Sequence, residues 1–302
     1  MEYFITDPVA AVQAQRALED MGQSYVSALL VDGPPGAGKT GLARHLARIS
    51  GSRFIQWQVF PGANRQDFLW DEDPSTSERV PGILIQAIRV SEKEKTLVLV
   101  DELDKADMQV DSFLLNFLQD AQLNLPQFGE MRVNTSNLLM ILTKNDSRPA
   151  SGPLMRRCRV IYLGWPEEQT ETAIIRNALP LMNEEACHLV IDFAGRLRKN
   201  PEVIKPPSSP EIVRLCGDML WLASINASPV AVAKVFVGGL TPNSKDRRFI
   251  EKGDLFIGTT LLRAFKPLVQ RPAVNGVNAG SSLENCLMQH EIERLVVNPP
   301  DI

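Results

Sequence analysis

The stretch Gly33-Pro34-Pro35-Gly36-Ala37-Gly38-Lys39-Thr40 fits G-x-x-x-x-G-K-[ST] in full, and it holds the residue types needed to bind a phosphate. Glycines at 33, 36 and 38 let the backbone curl until successive N–H groups face one anion, and the positive end of a helix starting at Lys39 adds to the attraction. Lys39 would reach the β- and γ-phosphates of a nucleotide as a point charge, and the Thr40 hydroxyl would ligate Mg²⁺. Further along, the apolar run Thr96 to Val100 ends in Asp101 and Glu102. At a strand end beside the phosphate loop, Asp101 would hold Mg²⁺ through water and Glu102 would polarise an attacking water. Asn145, just past the run Asn137 to Thr143, supplies a neutral amide that can orient that water between Glu102 and the γ-phosphate. Arg156 and Arg157 precede a final strand, where an arginine could reach the nucleotide of a neighbouring subunit. Such a finger makes the oligomer, rather than the single chain, the active species.

These residues need strands that end together and helices that follow them. Pro8 to Met21 has helical periodicity, and Tyr25 to Asp32 reads as a short buried strand that leads into the glycine-rich loop. A helix from Lys39 to about Ile49 follows, then a strand from Arg53 to Phe60 and a passage rich in Gly, Pro and Asp. Ile83 to Val90 reads as a helix, Thr96 to Val100 as a strand, Asp111 to Leu123 as a helix, and Asn137 to Thr143 and Val160 to Leu163 as strands. Strands alternating with helices predict a doubly wound parallel sheet. The composition shifts at Gly164-Trp165-Pro166, after which helical periodicity dominates to about Phe236, interrupted by a proline-rich loop from Asn200 to Pro210. The expected organisation is an α/β nucleotide-binding core over 1–166 and a smaller α-helical lid over 167–269. A polar tail over 270–302 would then carry one short helix near Leu283 to Val296.

Composition excludes several classes. A net charge of −4 argues against coating nucleic acid through bulk positive charge. Cys158, Cys187, Cys216 and Cys286 form no C-x-x-C pair, so they are expected as buried thiols rather than a zinc site or a disulfide framework. No apolar stretch reaches membrane-spanning length and no leader is evident, so a cytoplasmic protein without a membrane partner is expected.

Taken together, GPPGAGKT, LVLVDELDKAD, LTKND and LMRRC resemble the AAA+ ATPases, P-loop enzymes with a helical lid, continuously from Tyr25 to about Pro166. PGANRQDFLWDED followed by RVPGILIQAIR is similar to the helix-two insert of the MoxR and dynein-related branch, which includes the McrB-type motors. Leu123 to Val133 is similar to that branch's β-hairpin before the sensor strand, with Phe128-Gly129 near a tip that lines the pore of a ring. The resemblance implies ATP and Mg²⁺ as cofactors, a homo-oligomeric ring, expected as a hexamer, and a remodelled protein substrate, often with a von Willebrand factor A protein. It also implies a lid arginine touching the γ-phosphate. Arg214 in SSPEIVRLC is the candidate, although many relatives place that arginine directly after Ser-Pro, where this chain has Glu211. The phenylalanine that often follows the finger arginine is Cys158 here, so the finger is either Arg156 or Arg157. Two alternatives stay open. Thr143-Lys144-Asn145-Asp146 resembles the guanine-reading element of GTPases, though the carboxylate of Glu102 replaces the glycine of their DxxG turn. A nucleic-acid motor or switch would contact DNA through Phe128, Arg132 and Lys144.

Overall fold

The computed structural model describes residues 8–73, 75–145, 148–241, 243, 245 and 254–269. The sequence-predicted tail helix near Leu283 to Val296 lies outside the described residues, as does Asp146. The chain divides into two compact units at Pro166/Glu167.

In the first unit, β1 (Ser27–Asp32), β2 (Arg53–Gln58), β5 (Thr96–Asp101), β8 (Leu138–Lys144) and β9 (Arg159–Tyr162) form one parallel sheet in the order β2-β5-β8-β1-β9. The three inner strands are buried almost throughout because both faces are covered, which is why their sequences are continuous apolar runs. Alternation then divides their side chains. Leu29, Val31, Leu97, Leu99, Leu139 and Ile141 pack with α1 (Pro8–Glu19) and α2 (Lys39–Ile49). Leu30, Val98, Val100, Met140 and Leu142 pack with α4 (Ile83–Ser91) and α5 (Met108–Asp120) on the other face. The parallel register places Gln58 beside Asp101 and Asp32 beside Lys144, so the strands end in one row at their carboxyl edge.

Three departures from expectation have local causes. Between β2 and α4 lie a short α3 (Arg65–Leu69) and a two-stranded hairpin of β3 (Trp70–Glu72) and β4 (Arg79–Pro81), pieces too short to show a period. The helix expected over 111–123 ends instead at Asp120, where Ala121 takes a left-handed conformation (φ 51°) and turns the chain into β6 (Gln122–Leu125). Strand β6 pairs with β7 (Gly129–Arg132). Residues 152–157, assigned no element from the sequence, form a six-residue α6 whose N-cap is Ser151.

The second unit is helical: α7 (Glu168–Ala178), α8 (Glu184–Lys199), α9 (Ser209–Ser224), α10 (Pro229–Leu240) and α11 (Asp254–Val269) share one apolar core. Its buried centre includes Glu171, which accepts two bonds from Arg198 (2.8 and 2.9 Å) and one from the Ser209 hydroxyl (2.6 Å), joining three helices. Among the described residues, no helix is long and apolar enough to cross a membrane.

Candidate functional site

The glycine-rich loop runs from the end of β1 into α2, so Gly33, Pro34, Pro35, Gly36, Ala37 and Gly38 lie at the carboxyl edge of the sheet. Gly36 and Gly38 have positive φ (77° and 95°), the curl that turns N–H groups toward an anion. Gly33 is fixed by close approach as well: at φ 146°, a Cβ there would lie 2.0 Å from the Leu163 carbonyl oxygen. Gly33→Ala is therefore expected to cost about 3 kcal/mol or more and to abolish nucleotide binding. Thermal unfolding and titration with a fluorescent nucleotide check this, and an unchanged variant would show that the loop does not need this backbone.

Lys39 is almost fully buried. Its Nζ donates to the carbonyls of Gly33 (2.6 Å) and Pro34 (2.9 Å) and to Asn145 Oδ1 (2.8 Å). The Thr40 hydroxyl donates to Asp101 Oδ2 (3.0 Å), placing two oxygen donors suited to a hard divalent cation side by side. Thr143 donates to the other Asp101 oxygen and accepts from the Glu102 N–H (2.9 Å). Glu102 sits in the left-handed region (φ 62°, ψ 48°), a conformation that costs a non-glycine residue about 1–2 kcal/mol. Such strain is tolerated where surrounding bonds over-determine it.

The Glu102 carboxylate is held at both oxygens. Oε2 accepts from Gln58 Nε2 (2.7 Å) and is ion-paired with Lys105, and Oε1 faces Asn145 Nδ2 at 3.4 Å. Burial pushes this carboxyl up, but the bonds from Lys105, Gln58 and Asn145 and the Lys105 charge outweigh it and hold it below the ordinary glutamate range. The group is thus an ionised acceptor at neutral pH. Lys39, Asn145 and Glu102 form a chain of contacts because β8 lies between β1 and β5 and delivers Asn145 between the other two. This occupies the segment that resembles a guanine-reading element: Asn145 faces the phosphate loop, and Lys144 is buried in an ion pair with Asp32 (2.8 Å).

Gln58 and Lys105 belong to the site but were not singled out in the sequence, and Thr143 was read there only as part of the element resembling a guanine reader. Gln58 becomes visible only once β2 is paired with β5. Lys105 carries a local signal, since a basic residue three places after a carboxylate in a tight 3-10 turn lies directly over it.

The two arginines on α6 differ. Arg157 stacks on the Tyr25 ring (3.9 Å) and donates to the Leu118 carbonyl (3.2 Å). Arg156 is exposed and, among the described residues, makes no hydrogen bond, ion pair or ring contact. Arg214 lies on α9 of the second unit and is exposed. Glu211 instead accepts from the Ser208 N–H (2.8 Å) and hydroxyl (2.7 Å), so the position directly after Ser-Pro caps a helix. Burial pushes the Cys158 thiol up to about 12 and the Cys187 thiol to about 11, and it raises that of Cys216 as well.

At the hairpins, Phe128 packs against the Trp70 ring (5.5 Å between centroids) and under the Arg89 guanidinium (5.1 Å). Arg132 is ion-paired with Glu130. Of the three residues on which a DNA contact would rest, Lys144 is buried in its ion pair, whereas Phe128 and Arg132 stay exposed on the hairpin.

Residues 28–158 match the AAA domain family, dynein-related subfamily. Among curated proteins, the chain is similar to a mitochondrial Lon protease homologue of Yarrowia lipolytica, 30% identical over 48% of this chain and 13% of the relative. It is similar to Lon protease of Heliobacterium modesticaldum, 31% identical over 51% of this chain and 20% of the relative. Lon protease of Salinispora arenicola matches at 26% identity over 71% of this chain and 27% of the relative. The chain therefore spans about a quarter or less of these relatives' lengths. The matches support an AAA+ ATPase, and the family match falls within the P-loop core described above.

Proposed function

We propose that this chain is the ATPase subunit of an AAA+ ring of the MoxR and dynein-related branch, a hexamer that couples ATP hydrolysis to remodelling or assembly of a protein partner. The observation that carries the reading is the convergence of Lys39, Asn145 and Glu102 in one chain of contacts beside the Thr40–Asp101 pair. The loop from Gly33 to Gly38 and Lys39 bind the phosphates. Thr40 and Asp101 are the residues that fit Mg²⁺, which would supply charge neutralisation at the phosphates. Glu102 takes the proton of the attacking water, and Asn145 orients that water against the γ-phosphate. An arginine from α6 completes the site of the neighbouring subunit, and Arg214 is the lid's candidate contact to the γ-phosphate.

The role resembles that of MoxR-type ATPases that assemble or activate protein complexes in the cytoplasm, with a von Willebrand factor A protein as the partner class. ATP is favoured over GTP because Asn145 and Lys144 are turned to the phosphate loop and Asp32. A protein partner is favoured over nucleic acid because Lys144 is buried against Asp32 and the chain carries a net charge of −4.

The test is steady-state hydrolysis of ATP and GTP with Mg²⁺ across a wide range of protein concentration. Activity per chain is expected to rise with concentration and to favour ATP by about tenfold or more. Activity that is independent of concentration, or that favours GTP, rejects the ring ATPase.

A further inference from the structure

The two ends of α6 are tied to one face of α5. At the amino end, Asp111 Oδ2 accepts from the N–H of Ser151, the α6 N-cap (2.6 Å), and at the carboxyl end Arg157 donates to Leu118 O. Positions 111 and 118 are seven apart, about two helical turns, so both anchors lie on the same face of α5. That spacing is about the length of the six-residue α6 itself.

The amino-end anchor is shared with the nucleotide-facing loop. Arg148 grips Asp111 with two bonds (3.1 and 2.9 Å), and the Asp111 side chain is 1% exposed. The same guanidinium donates to the carbonyl of Leu103, the residue after Glu102 (3.3 Å). One residue further, Asp104 Oδ1 accepts the backbone N–H of Asn145 (3.0 Å). The Glu102 turn, the Asn145 loop and the start of α6 therefore meet at one buried ion pair. Among the described residues, Asp104 Oδ2 and Arg148 Nε are buried there without a protein partner, polar capacity left open beside the pair.

We infer that the Arg148–Asp111 pair is a positioning device. It sets the angle at which α6 offers its arginine to the next subunit according to the nucleotide held by Asn145 and Glu102 in its own subunit. Arg148 acts through α6 and touches no substrate. A bidentate guanidinium–carboxylate fork suits this task because it fixes orientation as well as distance. The inference rests on the ring reading above, and the experiment separates the two.

Subunits carrying Glu102→Gln keep their arginine but lack the base, and subunits carrying Arg156→Ala keep the base but lack the arginine. Mixed, they are expected to regain ATP hydrolysis that neither shows alone, because the first supplies the arginine to the second. Arg148→Met is then added to the Glu102→Gln subunit. That subunit is itself silent, so any loss in the mixture reports how its arginine is presented, not how its own site turns over. The regained rate is expected to fall about tenfold or more, since a misplacement of about 1 Å is enough for such a loss. Oligomer mass and nucleotide affinity are expected to stay as in the unmodified mixture. Asp111→Asn, which keeps size and an acceptor for Ser151, is run in parallel and should lose rate in the same direction. A mixture that regains full rate with either variant overturns the positioning role. A mixture of the two parent variants that regains nothing, with Arg157→Ala as acceptor also tried, overturns the ring reading and this inference with it.

Discussion

Glu102→Gln is expected to lower ATP turnover by about 10²–10⁴-fold, the range a positioned general base contributes, while ATP still binds. The argument is one of charge and geometry. Glutamine keeps the size of the side chain, and the backbone bond from residue 102 to Thr143 is untouched, so the left-handed turn is retained. The lost feature is an acceptor charge at Oε1, the oxygen that faces Asn145 rather than Lys105 and Gln58. The ion pair with Lys105 is partly exposed, so its loss is worth only about 0–1 kcal/mol. The unfolding midpoint should therefore barely move, which separates a chemical loss from an unfolded protein. Binding is read by titration with a fluorescent ATP analogue, and turnover by phosphate release. A variant that binds ATP and keeps more than about a tenth of the rate would remove Glu102 from the role of base.

The sequence was most legible where one physical demand governs a whole segment. Strands β1, β5 and β8 are covered on both faces, so each must be a continuous apolar run, and all three are visible as such. The phosphate loop is equally plain, because a backbone that must wrap an anion leaves a glycine pattern ahead of a lysine. Legibility fails where two demands overlap. Phe117 and Leu118 on α5 and Leu123 and Leu125 on β6 are all buried, so helical and alternating patterns run together, and only the left-handed Ala121 separates them. The short α3, β3, β4 and α6 span at most six residues each, too few for any period to emerge. The polar partners of the site were hidden for a different reason. Gln58 reaches Glu102 because β2 pairs with β5, and Arg148 reaches Asp111 across 37 positions of chain. Neither contact leaves a local trace, since the residues meet only after the sheet order is set.

The same separation of local from assembled structure governs the second large effect. Arg156→Ala is expected to lower turnover by about 10³-fold, within the range for an arginine supplied in trans, with little effect on the folded subunit. Removing an exposed side chain that makes no bond or ring contact among the described residues changes stability by no more than about 0.5 kcal/mol. Arg157→Ala should behave in the opposite way. It removes a guanidinium stacked on Tyr25 and bonded to Leu118 O, contacts worth about 1–2 kcal/mol together. It also releases the carboxyl end of α6 from α5, so its loss of turnover should be smaller and accompanied by a lower unfolding temperature. Turnover at saturating ATP, measured where the oligomer is formed, and thermal unfolding of each variant decide between them. If Arg157→Ala proved silent in stability but lost the rate while Arg156→Ala kept it, the finger would be Arg157. That arginine would then have to leave Tyr25 and Leu118 on assembly, so ring formation would break contacts within each subunit before making the one between them.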